Sequence, residues 1–70
     1  LNSEVRKLLI DVDALGNAIV KYDDVSDTLY IVLKNEEEEE SLLLPNDIVI
    51  RIAKGEIISI TIRNVIGRQQ

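Results

Sequence analysis

The most informative feature of the chain is the alternation of apolar and polar side chains in its second half. In 28–34, TLYIVLK, Leu29, Ile31 and Leu33 fall on one side of an extended backbone, with Thr28, Tyr30, Val32 and Lys34 on the other. The pattern returns in 47–65, DIVIRIAKGEIISITIRNV. There Ile48, Ile50 and Ile52 share one face, and Ile58, Ile60 and Ile62 share one face of the next strand. Lys54-Gly55 between them predicts a tight hairpin turn, with glycine supplying the positive φ such turns need. Residues 18–22, AIVKY, predict another strand, joined to 28–34 through DDVSD, a loop of mostly turn-forming residues. SLLL at 41–44 predicts a short strand that Pro45 ends, because proline has no N–H for the ladder.

Ahead of these strands, 3–15, SEVRKLLIDVDAL, places Val5, Leu8, Leu9, Val12 and Leu15 at helical spacing. Asn2 or Ser3 would cap such a helix and Gly16-Asn17 would stop it. Asp11 and Asp13 sit at the unfavourable end of its dipole, so a hairpin through DALGN is the alternative. The expected fold class is α+β: an N-terminal helix packed on a small antiparallel sheet of four or five strands in hairpin order. One domain is expected, with the helix at about 3–15, the sheet at about 18–65 and a disordered tail at 67–70. One short helix covers one face of a sheet. Val49, Ala53, Ile57, Val65, Val32 and Tyr30 would lie in places on the other. That face predicts a homodimer, with Val49, Ala53 and Ile57 at or near the interface.

Composition sharpens this picture. The 70 residues include eleven isoleucines and no Phe, Trp or Met, a core chemistry suited to a pleated surface. The absence of Cys and His removes disulfides, thiolate chemistry, imidazole bases and ordinary zinc sites. No apolar run reaches the length of a membrane span, and the first residues do not read as a leader, so a soluble, cytoplasmic protein is expected. Net charge is −5, and Glu36–Glu40 account for it: without them eight acids face eight bases. No basic patch is evident, so nucleic acid is not an expected partner.

Three features have chemical potential. Asp23, Asp24 and Asp27 could chelate a hard divalent cation, but they lack EF-hand spacing and a bracketing Gly, and Asp commonly closes turns by accepting backbone N–H bonds. Tyr22 and Tyr30 could be stacking platforms, although strand tyrosines more often pack against neighbours. The run Glu36, Glu37, Glu38, Glu39, Glu40 could dock on a basic protein partner, or serve simply as a solvated connection. No catalytic residue, metal site or cofactor is expected, and the three glycines are too far apart for a phosphate-binding loop.

YDDVSDTLYI, 22–31, resembles the signature of the domain of unknown function 2283 family: Tyr-Asp, a short acidic loop, Asp, a small residue, then Leu-Tyr-Ile. The positions carrying it are Tyr22, Asp23, Asp27, Leu29 and Tyr30. The resemblance continues through NDIVIRIAKGEIISITIRNV and covers about 18–66. Ser59 stands where the family usually has Gly, and Val65-Ile66 replaces small residues. The resemblance implies a small α+β domain of prokaryotic origin with no established activity. It also implies, for some relatives, partnership with small toxin-like proteins.

Overall fold

A computed structural model describes residues 5–67. Five strands form one antiparallel sheet: β1 Ile19–Asp23, β2 Thr28–Val32, β3 Glu40–Leu43, β4 Ile48–Ala53 and β5 Glu56–Arg63. Their spatial order is β1-β2-β5-β4-β3. Hairpins join β1 to β2, β3 to β4 and β4 to β5, but simple hairpin order fails at one place. After β2 the chain crosses to the far edge of the sheet and returns, so that β5 lies beside β2. The crossing uses Leu33–Glu39 to cover three strand spacings, roughly 14 Å. Seven residues reach that far in extended form, and the connection has no helix or strand.

The register shows why the isoleucines are spaced as they are. Directly opposed residues share a face, so Val20, Ile31, Ile60, Ile50 and Leu42 make one aliphatic row across all five strands. Tyr22, Leu29, Ile62 and Ile48 make the next row on the same face. The opposite face carries Lys21, Tyr30, Thr61, Val49 and Leu43 in one row, and Ile19, Val32, Ser59, Arg51 and Ser41 in another. Between Arg51 and Ile52 the register shifts, so that Ile57 and Ile58 together oppose Ile52. This bulge breaks the simple alternation that would place Ile57 with Val49.

Lys54 (φ 55°) and Gly55 (φ 77°) form the two-residue β4–β5 turn, both with the positive φ of a primed hairpin turn. Asp27, Asp47 and Asn64 also have positive φ, a conformation their short polar side chains tolerate.

The N-terminal half of the expected architecture needs correction. The helix is α1, Val12–Gly16, five residues with none buried, not a helix over 3–15 packed on the sheet. Residues 5–10 are non-helical, and Leu9 pairs with Glu56 in a short parallel bridge, donating to the Gly55 carbonyl and accepting from the Ile57 N–H. The segment thus takes the position beside β5 that β2 has vacated. Asp11 is the true cap: its Oδ1 accepts the Ala14 N–H at 3.1 Å, and Asp13 lies in the first turn, where an acid suits the dipole. The two aspartates that seemed misplaced in a long helix are correctly placed at the start of a short one. Asn2 and Ser3 lie outside the described residues. So does 68–70 of the expected tail, whereas Gly67 is held by a hydrogen bond to Asp27.

The result is a mostly β, single-layer structure. Among the described residues Leu33, Ile52, Ala53 and Ile58 are the buried apolar side chains, and no large side chain is fully enclosed. Among the described residues no helix is long and apolar enough to cross a membrane.

Candidate functional site

The β1–β2 hairpin positions the aspartates differently from one another. Asp23 closes its own loop: Oδ1 accepts the Val25 N–H at 3.1 Å, and Oδ2 accepts the Ser26 hydroxyl at 3.0 Å. Thr28 adds a hydroxyl bond to the Ser26 carbonyl at 3.0 Å. Asp27 turns the other way, since its positive φ redirects the chain at the loop's end. Its Oδ1 accepts the Tyr22 hydroxyl at 2.7 Å and the Ile66 N–H at 3.0 Å, while Oδ2 accepts the Gly67 N–H at 3.0 Å. Its own carbonyl accepts the Val65 N–H. Asp27 therefore caps the turn that follows β5, not the hairpin in which it lies.

Electrostatics follow from these bonds. The Ile66 N–H, the Tyr22 hydroxyl and the Gly67 N–H hold the Asp27 carboxyl below its ordinary range. The same bond to Asp27 pushes the Tyr22 phenol up to about 12, because its proton is held against a carboxylate. Tyr22 and Leu29 face each other in the apolar row, and Tyr30 is half-buried on the opposite face between Lys21 and Thr61. The sequence signature brings its residues together in space, but its two tyrosines lie on opposite faces.

This arrangement does not converge carboxylates on a point. Asp23 and Asp27 spend their oxygens on separate N–H and O–H donors, and among the described residues no three acidic groups gather as a cation site requires. Asp24 lines a shallow open depression with Ile19, Lys21, Asp23, Tyr30 and Val32, on the polar face near the β1 edge.

The acidic run is not a free solvated loop throughout. Glu38 pairs with Arg51 at 2.8 Å and accepts the Ser41 hydroxyl, Glu39 accepts the Lys54 N–H at 3.0 Å, and Glu40 begins β3. Arg6 grips both Glu40 oxygens at 2.8 and 2.6 Å, which lowers the carboxyl pKa and raises that of the guanidinium. Among the described residues no such side-chain bond reaches Glu36 or Glu37. Nearby, Lys34 joins Glu56 at 2.8 Å and Asp11 at 3.3 Å, tying the start of the crossing to β5 and to the helix cap. Apart from Ser41, three residues from Glu38, these partners are 13 to 34 residues apart in sequence, so local patterning could not signal them.

The family profile described as "Protein of unknown function (DUF2283)" matches residues 19–65, which is 47 of 70 positions. The chain belongs to this family. The match begins at β1 and ends just after β5, so the DUF2283 region coincides with the sheet and leaves α1 outside. Ser59, within the matched region of β5, is buried between its cross-strand neighbours Val32 and Arg51. No curated protein and no solved structure matches the chain.

Proposed function

We propose that this DUF2283 protein is a small, non-enzymatic, cytoplasmic protein-interaction module that works as a homodimer. The observation that carries the reading is the single-layer sheet. Its expected covering helix is five residues long and buries nothing, so aliphatic side chains that belong in a core remain half-exposed. Monomeric proteins rarely leave a contiguous apolar sheet face open to water. A second copy supplies the missing layer in the simplest way.

The absence of His and Cys, and the separate commitments of Asp23 and Asp27, favour this reading over a metal-binding or hydrolytic one. Within the acidic run, Glu36 and Glu37 remain available to a basic protein partner, because Glu38, Glu39 and Glu40 are engaged within the chain. A small toxin-like protein as that partner rests on the family resemblance alone. Sedimentation equilibrium at micromolar concentration tests the dimer. A mass of twice the chain that dissociates on dilution is expected, and a monomer mass at every concentration would reject the reading.

A further inference from the structure

The geometry points to the isoleucine face, not the Val49 face, as the surface on which a second copy sits, giving a two-sheet sandwich. This inference rests on the dimer reading above and specifies its interface. The two faces differ in kind. One bears the rows Val20–Ile31–Ile60–Ile50–Leu42 and Tyr22–Leu29–Ile62–Ile48, with Glu40 as the charged group of its strand residues. Glu40 lies at a corner and is already clamped by Arg6. The other face bears Lys21, Asp23, Arg51 and Arg63 among its hydroxyls. Its small polar side chains Thr28, Ser59 and Thr61 are already buried under their neighbours, and Ala53, expected at an interface, is 3% exposed in the single chain.

Three arguments favour a second copy as the occupant. A face whose one strand charge, Glu40, lies at a corner and is paired with Arg6 can meet its own image without the opposed like charges that a two-fold interface otherwise imposes. β-Branched rows on a twisted sheet also interdigitate with the same rows of another sheet at about −30°. Finally, the area is that of a weak self-association. The nine side chains of the two rows, each occupying about 4.8 Å by 7 Å, give roughly 300 Å² per copy. The total, about 600 Å², belongs to the weak and transient class, so a dimer of low affinity is expected.

Ile19 and Val20 provide a matched test. They are neighbours on β1, 66% and 63% exposed, and point to opposite faces. Neither supports the fold of the single chain by burial, so a charge at either leaves the monomer intact. Val20→Glu should raise the dimer dissociation constant at least about tenfold, since each copy would bring a carboxylate into an apolar layer. Ile19→Glu should change it less than about threefold, as a solvent-facing substitution. Equal weakening by both would indicate pairing through the β1 edge, and weakening by Ile19→Glu alone would indicate the polar face; either overturns the inference while the dimer stands. A wild-type monomer would overturn the dimer reading itself. Intermolecular methyl contacts in a half-labelled wild-type sample supply a second readout. Ile31, Ile50 and Ile60 should touch the other copy, and contacts confined to Leu43 and Val49 would overturn the assignment.

Discussion

The Tyr22 hydroxyl donates to Asp27 Oδ1 across 2.7 Å, and the same carboxylate receives the N–H groups of Ile66 and Gly67. One side chain thus fastens β1, the loop after it and the turn beyond β5, segments about 40 positions apart in sequence. Tyr22 and Asp27 form a structural knot at one end of the sheet.

The knot predicts a pH dependence. Asp27 has a depressed folded pKa, so its contribution is fully present above the ordinary carboxylate range and is lost as pH falls through that lowered value. Tyr22 has a raised one, so its contribution is fully present below about 10, the ordinary phenol value, and is lost as pH rises through about 12. In a Tyr30→Phe background, tyrosinate absorbance should report a Tyr22 midpoint near 12. Asp27→Ala should lower the melting temperature by on the order of 5 °C and bring that midpoint back toward the ordinary value. A Tyr22 titration indifferent to Asp27 would contradict the knot.

Much of the sheet was legible in the sequence, because period-two patterning survives wherever one face is apolar. Leu29, Ile31, Ile48, Ile50, Ile60 and Ile62 occupy the common face that their spacing predicts. The strand order was not legible, since a hairpin signal says nothing of where a crossing chain re-enters. Nor was the helix: Val5, Leu8 and Leu9 have helical spacing, yet Leu9 gains two backbone bonds beside β5 in extended form. Asp11 and Asp13 were the local clue, two acids grouped at a helix start. The bonds of Asp27 to Ile66 and Gly67 had no local signal at all.

The β4–β5 turn predicts opposite effects at adjacent positions. Gly55 has φ 77° and open space around it, so Gly55→Ala carries a backbone cost alone, about 1–2 kcal/mol. Lys54 already bears that cost at φ 55°, so Lys54→Asn should gain up to about 1 kcal/mol. Its N–H would still reach Glu39. Urea denaturation of both variants checks the signs, and a destabilised Lys54→Asn would mean that the lysine side chain matters to the turn.

Core truncations should divide by burial. Ile58 is 3% exposed beside the bulge, and Ile58→Ala should cost about 2–5 kcal/mol through lost burial and the cavity left behind. Leu43 is exposed on the polar face at the β3 edge, so Leu43→Ala should fall within about 0.5 kcal/mol of wild type. Denaturant midpoints at one fixed protein concentration decide this. Similar losses at both positions would show that Leu43 is covered by something beyond the described chain.

The acidic run should separate into two functional parts. Its five side chains look equivalent in sequence, and self-repulsion alone would make any substitution neutral or stabilising. The fold distinguishes them. Glu36 and Glu37 lie on the crossing from β2 to β3 with no side-chain bond among the described residues, whereas Glu38, Glu39 and Glu40 hold Arg51, the Lys54 N–H and Arg6. Replacing Glu36 and Glu37 by Ser should therefore leave the melting temperature unchanged or raise it slightly. Replacing Glu38, Glu39 and Glu40 by Ser should lower it, because the crossing then loses its attachment to β4, to the β4–β5 turn and to the N-terminal segment. The two ion pairs are partly exposed, so their share of the loss should shrink in about 1 M salt, where the screening length falls to about 3 Å. The Glu39 bond to a backbone N–H should be the more salt-resistant part, which Glu39→Ser alone would reveal. Paired thermal melts at low and high salt make the comparison, and equal melting temperatures for the two multiple variants would show that the crossing is held by its backbone alone.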